Sequence, residues 1–551
     1  MDISSTATIF PAPLKTEFPS PKLDTSSEYS SYMLHTMGFD ITLLWRGPQV
    51  NPINRKARSI PVFNVVDQYG RVFFFSWMGF MLGFWAWYTF PPLLTVTIKK
   101  DLHLTSTQVA NSNIVSLCAT LLLRFVAGPL CDRFGSRKVY ASLLMLGCLP
   151  IGLAPLVKSA TGLYVSRFFI GILGATFVPC QVWCTAFFDK NVVGTANALS
   201  GGWGNAGGGI TYFIMPAVFD SLVAARGMRA SQAWRVTFIV PLTCLIACSL
   251  GMFFLCPDTP LGSWEERSQR IQENLDRYRS NSTTAVNTPN VLTEPPSRDE
   301  ERGGSSDDDD SRLCEKKSAI SLSEAVSVAQ AETVVRPSFK DSWPVVFSPQ
   351  TLFHVATYSC SFGGELAINS ILSSYYKANF PHLNQTQASS YAAVFGFLNF
   401  ITRPLGGVIA DMLYNRFSRS LWMKKGWITT CGVLSGVLLI TVGQVNPSET
   451  SGGDIGTLVG LVTLAAVFVE AGNGANFALV PHVHPSANGI LSGVTGGGGN
   501  LGGVVFAIIF RFMNHGNGYN TSLWVIGVIH IALNLAVCWI PPLPKGQIGG
   551  K

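Results

Sequence analysis

Two arginines lie inside long apolar segments and follow the same local pattern. Arg124 stands in "LLLRFVAGPLCD" and Arg403 in "TRPLGGVIAD", each followed by a glycine after four residues and an aspartate after eight. A guanidinium is planar and presents paired N–H donors, so it can bind a small oxyanion in a bidentate manner. Placing an arginine in a bilayer costs about 2.5–3.5 kcal/mol on insertion scales, and such residues usually face a cavity or a partner. The pair therefore predicts a site for a small oxyanion.

The alternative for each arginine is an internal ion pair. Glu365 and Glu470 are the plausible acids within the apolar segments, and they could instead carry protons. Arg124 lies eight residues before Asp132, which is about 12 Å along a helix and close to the middle of the bilayer. Because Arg403 has the same spacing, the two cations are expected at equal depth, where a bound anion would remove their mutual repulsion.

Two glycine-rich stretches each surround one asparagine, "GGWGNAGGG" with Asn205 and "GGGGNLGG" with Asn500. The first contains G-x-G-x-x-G, but a dinucleotide loop must follow a strand and open a helix in a soluble unit, whereas both copies lie in apolar segments. Each amide offers two N–H donors and one acceptor, so the asparagines are predicted to orient the anion or the arginines. The alternative is that they only join packed helices. The surrounding glycines are predicted to allow close helix packing: Gly201, Gly204, Gly208, Gly496, Gly499 and Gly503.

The elements that carry these residues are membrane helices. The chain is 48% hydrophobic and 13% charged, whereas about 25% charged residues is usual for soluble domains. Many apolar segments approach or exceed the roughly 20 residues that a helix needs to cross a bilayer. The sequence predicts an all-α integral membrane protein with no evident cleaved signal peptide and twelve spans: 72–98, 109–131, 139–157, 162–184, 193–219, 236–256, 351–376, 388–410, 427–445, 456–480, 487–511 and 523–541.

The spans divide six plus six around a polar segment. Residues 258–349 hold 17 acidic and 11 basic residues with many Ser and Pro, a composition that predicts a disordered linker. The repeated arginine and asparagine patterns indicate two pseudo-symmetric six-helix bundles around a central site. The predicted domains are a tail (1–70), two six-helix halves (71–257 and 350–541), the linker between them (258–349) and a short second tail (542–551).

The basic residues of short loops predict the orientation of the spans. Segments 54–58, 132–138 and 415–425 are basic and share one side if both termini are cytoplasmic. Arg226, Arg229 and Arg235 after span 5 oppose this assignment. In span 4, Arg167 lies close enough to the outer end for its side chain to reach the membrane surface.

At this point the residues resemble a known family. "GPLCDRFGSRK" (128–138) resembles the signature G-x-x-x-D-[RK]-x-G-x-R-[RK] of the major facilitator superfamily, in the loop between spans 2 and 3. The doubled glycine–asparagine stretches and the arginines of spans 2 and 8 resemble the nitrate–nitrite porter family within it. The long central linker resembles fungal high-affinity nitrate transporters. The resemblance covers about residues 60–545.

This resemblance implies a plasma-membrane carrier that imports nitrate or nitrite by alternating access, with protons as the co-transported ion. It implies substrate contact by Tyr358, in addition to the arginines and asparagines. It also implies a conformational latch formed by Asp132, Arg133 and Arg137 at the ends of spans 2 and 3. Glu365 and Glu470 are the candidates for proton coupling.

Other functions stay open at this stage. A carrier or exchanger of another small anion would have the same fold, and a nitrate sensor would signal through the 258–349 linker. An enzyme is not expected, since no nucleophile–base set stands out and His482 and His484 have too few companions for a metal site. We expect no cofactor and no nucleic-acid partner. The Ser and Thr residues of the linker predict regulation by phosphorylation.

Overall fold

The computed structural model describes residues 41–189, 192–286, 339–418, 420–445, 453–484, 488–513 and 519–545. The chain forms two units, Met1–Thr42 and Leu43–Lys551. The second unit holds all the membrane helices described below.

Ten helical segments in this part of the chain are long and apolar enough to cross a membrane. Two further long helices, Gln68–Trp87 and Pro349–Asn379, stand where the sequence predicts spans 1 and 7. Pro349–Asn379 buries most of its residues, including polar ones, inside the protein. It can therefore be less apolar than a helix that faces lipid. Together they give the twelve predicted spans. The ten apolar segments are spans 2 to 6 (Ser106–Cys131, Ser136–Leu156, Ala160–Phe187, Val193–Arg226 and Ala230–Leu255) and spans 8 to 12 (Gln385–Tyr414, Leu421–Val445, Ile455–Val483, Ile490–Phe512 and Asn520–Val537).

Three spans are interrupted near the predicted site residues. Span 8 stops at Leu398 and restarts as Thr402–Arg416, because Pro404 has no N–H to bond the carbonyl four residues earlier and is tolerated in a first turn. Glycine is the weakest ordinary helix former, and the other two interruptions lie in glycine-containing segments. Span 4 consists of Ala160–Ile170, a 3-10 segment Gly171–Thr176 and Phe177–Phe187, and span 5 consists of Val193–Asn205 and Gly207–Arg226.

Glycines allow the two halves to pack backbone against backbone. Span 5 packs on span 8, and span 2 packs on span 11. A β-carbon added to Gly396 of span 8 would lie 2.2 Å from the backbone nitrogen of Gly209 in span 5. Since real β-carbons do not approach this closely, any larger residue would separate the two halves here.

Much of the described part of the predicted linker is helical. Arg267–Val286 forms one helix and Phe339–Val346 another, while 287–338 lies outside the described residues. Trp264 and Leu275 are buried, and Asn274 Nδ2 donates to the carbonyl of Ile53 at 2.9 Å. The average composition of 258–349 concealed these contacts, which hold residues 264–275 against the first half.

Part of the predicted first tail is also packed. The Ala57 nitrogen donates to the Phe187 carbonyl at 2.9 Å, and the Asp189 nitrogen donates to the Ala57 carbonyl at 2.8 Å. Residues 43–67 therefore contact the end of span 4 on the side of the membrane that carries residues 258–286. We call this side the linker side and the opposite one the far side.

Candidate functional site

Arg124 of span 2 and Arg403 of span 8 lie against the same pair of aromatic rings. The guanidinium carbon of Arg124 is 5.1 Å from the Phe177 ring centroid and 4.8 Å from that of Phe362. The corresponding distances for Arg403 are 5.6 and 5.8 Å. The two rings stack with centroids 6.3 Å apart. Both arginines are buried, with 0% and 2% of their surface exposed, so the cations of opposite halves meet at one aromatic cluster.

Arg124 is held by backbone carbonyls from both halves. Its Nε donates to the Gly174 carbonyl in span 4 at 3.0 Å, and its Nη1 donates to the Gly496 carbonyl in span 11 at 3.1 Å. The Asn500 amide fits with its oxygen towards this arginine, where it accepts from Nε at 2.9 Å and Nη1 at 3.0 Å. The Nη2 atom has no partner among the described residues. One side of this guanidinium therefore remains able to bind an anion.

Arg403 is held by an aromatic hydroxyl. Its Nη2 donates to the Tyr358 hydroxyl at 3.0 Å, and its Nη1 has no partner in the described part of the chain. Tyr358 stacks on Phe362 with centroids 5.0 Å apart. Phe477 packs edge-on against Tyr358 at 5.1 Å and against Phe177 at 5.4 Å. Tyr358 thus joins the arginine pair to a cluster of four aromatic rings.

Each glycine stretch faces the arginine of the opposite half. A β-carbon at Gly201 would lie 3.3 Å from Arg403 Nε, and one at Gly496 would lie 3.7 Å from Arg124 Nη1. Asn205, one helical turn after Gly201, is buried, and neither atom of its amide group has a partner among the described residues. The asparagine of span 5 is therefore less engaged than that of span 11.

The other predicted glycines allow neighbouring groups to approach. Gly503 has the most room, since its nearest neighbour would be 3.4 Å from an added β-carbon. The remaining positions admit no β-carbon without movement, because it would lie 1.9 Å from the Phe80 ring at Gly204, 2.7 Å from Asn369 Nδ2 at Gly208 and 2.7 Å from the Tyr358 ring at Gly499.

The two buried glutamates bind amides and a hydroxyl rather than the arginines. Asn399 Nδ2 donates to Glu365 Oε1 at 2.8 Å and also to Glu470 Oε1 at 3.0 Å. Asn473 Nδ2 donates to Glu365 Oε2 at 2.6 Å, and the Thr402 hydroxyl donates to Glu470 Oε2. Among the described residues, no ion pair joins a carboxylate to Arg124 or Arg403. The alternative that each arginine forms an ion pair with a buried glutamate therefore does not hold in this structure.

The residues predicted to form a latch are not seen together. Arg137 Nε pairs with Asp258 Oδ1 at 2.6 Å, beyond the end of span 6, and its Nη1 donates to the Cys256 carbonyl at 2.6 Å. The side chain of Asp132 lies outside the described residues, and Arg133 is exposed. Arg137 therefore holds the end of span 6, and its pairing with Asp132 stays a prediction.

The sequence predicts that the Arg167 side chain reaches the membrane surface, and this prediction is wrong. The side chain is fully buried, and it bonds groups of spans 1 and 2. Its Nη2 donates to Asn113 Oδ1 at 2.5 Å and its Nη1 to the Trp87 carbonyl at 3.3 Å. The guanidinium carbon lies 5.6 Å from the Trp87 ring centroid. This third buried arginine of the described residues is a candidate functional residue that the sequence did not reveal.

The phenylalanines of the site were also missed, although the sequence contained a signal for them. Phe177 follows Gly174 by three residues in "GATF", and Phe477 follows Gly474 by three in "GANF". These stretches occupy the corresponding places of spans 4 and 10. The internal repeat could therefore have identified both rings.

On the far side, hydrogen bonds join the two halves. The Tyr88 hydroxyl donates to the Leu366 carbonyl at 3.3 Å, and the Tyr212 hydroxyl donates to the Asn369 carbonyl at 2.6 Å. At the far ends of the helices, further bonds run from the Thr97 nitrogen to Gln385 Oε1 at 2.9 Å and from Arg511 Nε to Asn111 Oδ1 at 3.1 Å. These bonds, which we call the far-side contacts, close the far side above the arginine pair.

Comparisons with known proteins agree with this fold. Residues 76–423 match the model of the Major Facilitator Superfamily. The chain is 33% identical to elsinochrome transporter 1 of Elsinoe fawcettii, over 92% of the chain and 99% of that relative. It is 30% identical to high affinity nitrate transporter 2.5 of Arabidopsis thaliana, over 88% of the chain and 82% of the relative. It is 29% identical to a nitrate/nitrite transporter of Nostoc punctiforme, over 88% of the chain and 95% of the relative.

Among solved structures, the fold is similar to that of the xylose transporter of E. coli in a partially occluded inward-open conformation. The TM-score is 0.57 at 14% identity, over 86% of the chain and 98% of the xylose transporter. This likeness concerns the fold, whereas the sequence relatives define the family. This multi-pass membrane protein therefore belongs to the major facilitator superfamily of transporters, and within it to the nitrate transporter family.

Proposed function

We propose that the protein imports nitrate or nitrite across the plasma membrane and binds the anion between Arg124 and Arg403. One observation carries the proposal: each buried guanidinium keeps one terminal nitrogen, Nη2 of Arg124 and Nη1 of Arg403, without a partner among the described residues. An oxyanion between them would accept from both forks and relieve the repulsion of two cations in a low dielectric.

The surroundings of the pair favour a small, flat anion. The stacked rings of Phe177 and Phe362 lie beside both guanidinium groups, so the anion would meet planar faces and little water. Gly201 and Gly496 keep side-chain bulk away from the arginines. Asn205, whose amide is buried without a partner, would supply a further neutral donor.

A second candidate is transport of a larger organic compound, because one close relative is named an elsinochrome transporter. Such a substrate needs a wide cavity and does not need two uncompensated cations. The arginine pair, closely surrounded by aromatic rings, fits a small anion better. We therefore place nitrate first.

Import also needs a driving ion, for which we propose protons. Moving one anion into a cell that is negative inside costs about 2.3 kcal/mol per 100 mV. Glu365 and Glu470 both accept from Asn399 Nδ2, so two ionised carboxylates would repel each other there, and a proton bound by the pair removes that repulsion. Protonation would therefore accompany the transport cycle.

The corresponding place in the first half is neutral. Thr120 stands four residues before Arg124, as Asn399 stands four residues before Arg403. The Thr120 hydroxyl accepts from Trp87 Nε1 at 3.0 Å and donates to the Gly171 carbonyl at 2.8 Å. A tryptophan and a backbone carbonyl thus occupy positions that carboxylates occupy in the second half. We assign proton binding to the second half alone.

The linker side is assigned to the cytoplasm, in accord with the basic short loops. Both termini and residues 258–349 would then be cytoplasmic, where a kinase could modify the linker. Uptake would require the far-side contacts to break and re-form, so that the arginine pair is open to one side at a time.

Uptake of labelled nitrate in a host that lacks its own nitrate carriers tests the proposal. We expect saturable uptake that acidic external pH stimulates, with competition by nitrite but not by sulfate or phosphate. Nitrate uptake that nitrite does not affect would exclude nitrite as a second substrate, and no uptake with the protein at the cell surface would contradict nitrate as the substrate. In that case, export or uptake of organic compounds is the next measurement.

A further inference from the structure

Arg167 is a buried cation for which the proposed transport cycle has no role. Its side chain is fully buried in span 4, and no ion pair joins it to a carboxylate in the described part of the chain. Its Nε has no partner there either. A buried charge is normally paired, since an unpaired one is costly in a low dielectric.

The surroundings of Arg167 repeat those of Arg124. Arg124 lies over aromatic rings, bonds the amide oxygen of Asn500 and keeps one N–H without a partner. Arg167 lies over the Trp87 ring, bonds the amide oxygen of Asn113 and also keeps one N–H without a partner. The same three features at both arginines indicate the same kind of ligand.

The fold connects the two arginines directly. Arg167 stands seven residues before Gly174, whose carbonyl binds Arg124 Nε, so it lies about 10 Å further towards the far side at 1.5 Å per residue. A second connection runs from Arg167 to the Trp87 carbonyl and from Trp87 Nε1 to Thr120, one turn before Arg124. Arg167 therefore lies between the arginine pair and the far side.

Arg167 is also next to the far-side contacts. Tyr88, which donates to the Leu366 carbonyl of the other half, directly follows Trp87, whose carbonyl and ring contact Arg167. When the halves separate on the far side, the bond of Tyr88 must break. Breaking this bond frees the segment of Trp87 and Tyr88, which an incoming anion needs in order to reach Arg167.

We propose that Arg167, Asn113 and Trp87 form an entry site that binds the transported oxyanion before it reaches Arg124 and Arg403. The ligand is a small monovalent oxyanion of the nitrate and nitrite class. Arg167 supplies the charge and the Nε donor, and the Trp87 ring supplies a flat wall. The proposal rests on the proposed function, and its role is to raise the local concentration of anion at the arginine pair.

Arg226 provides a matched control. It lies at the far-side end of span 5 and its side chain is exposed. An exposed arginine on the same side should matter much less, because water screens its charge. Arg226→Gln therefore tests whether any far-side arginine has the effect.

The experiment compares nitrate transport by wild type, Arg167→Gln, Arg167→Lys and Arg226→Gln at equal surface expression. KM is measured for uptake from the far side and for exchange from the linker side. We expect Arg167→Gln to raise the far-side KM about tenfold and to leave the linker-side KM within about twofold. Arg167→Lys should raise the far-side KM by about threefold because it keeps the charge without the fork.

Four outcomes decide the matter. A far-side KM in Arg167→Gln equal to that of wild type overturns the entry site, as does an equal change of KM from both sides. If Arg167→Gln does not reach the membrane, Arg167→Lys decides in the same way. If wild type itself transports no nitrate, the proposed function has failed instead, and direct binding of other small oxyanions to the purified full chain tests the entry site separately.

Discussion

Arg124 and Arg403 come from opposite halves of the chain, yet each guanidinium lies within 6 Å of both the Phe177 and the Phe362 ring centroid. Neither arginine is held only by its own half, since Arg124 bonds the Gly496 carbonyl and Arg403 lies beside Gly201. The geometry of the site therefore depends on the relative position of the halves. A carrier needs this property, because sliding of the halves changes the binding of the anion.

Replacing either arginine by lysine should strongly impair transport. Lysine keeps the positive charge but has no planar fork, so it cannot hold its protein partners and the anion together. We expect Arg124→Lys and Arg403→Lys to lower nitrate uptake about tenfold or more. Uptake kinetics at matched surface expression measure this. Wild-type kinetics in either variant would show that this arginine is structural.

The two glycines that face the arginines should differ in their tolerance of a methyl group. A β-carbon at Gly201 would crowd Arg403 Nε at 3.3 Å, whereas one at Gly496 would be in ordinary contact with Arg124 Nη1 at 3.7 Å. We expect Gly201→Ala to raise KM for nitrate several-fold and Gly496→Ala to change it little. Gly460→Ala is the control, because a β-carbon there has nothing within 4 Å. Equal KM values for Gly201→Ala and Gly460→Ala would refute the argument.

The glutamate pair should control the pH dependence of uptake. Glutamine at Glu365 or Glu470 keeps an oxygen for Asn399 Nδ2 but carries no charge and accepts no proton. We expect either variant to lose the stimulation of net uptake by acid while nitrate–nitrite exchange continues. Glu273→Gln, in the exposed part of the linker-side helix, should behave as wild type. Acid stimulation that survives in both variants would exclude the pair as the proton site.

Asp101, on the far side, should stabilise the fold in a pH-dependent way. Its partial burial by itself raises the pKa of the carboxyl, but hydrogen bonds from Trp234 Nε1 at 2.9 Å and Arg235 Nη1 at 2.8 Å outweigh this, and the pKa is lowered overall. A lowered pKa stabilises the folded state above the unfolded pKa of about 3.9, and this contribution disappears as the pH falls through the folded pKa.

Asp101→Asn should therefore reduce the free energy of unfolding near neutral pH by about 0.5–1 kcal/mol, a small value because the pair is partly exposed to solvent. The difference from wild type should shrink as the pH falls below the unfolded pKa of about 3.9 and vanish below the folded pKa. Thermal unfolding of the purified proteins across this pH range measures both effects. A difference that grows on acidification has the wrong sign for this account.

Internal repetition made much of this protein readable from its sequence. The equal spacing around Arg124 and Arg403 placed both side chains in corresponding helices, and the apolar segments gave all twelve spans. The burial of Arg167 was not readable, because it depends on which helices cover one face of span 4. The helix at 267–286 was missed since two buried residues, Trp264 and Leu275, were averaged into a polar segment. Both errors come from contacts between elements, which neither the pattern of a single helix nor an average composition reveals.

The Gly496 carbonyl of the second half binds Arg124 of the first half, so each half supplies part of the other half's arginine site. If the polypeptide were cut between residues 286 and 339, one fragment would carry Arg124 and the other Arg403. Each fragment would hold only part of the groups that contact its arginine. The anion would then be a ligand shared by two molecules, bound tightly by the heterodimer and weakly by either fragment. By mass action, such a ligand favours association, so nitrate itself should strengthen the complementation of co-expressed halves.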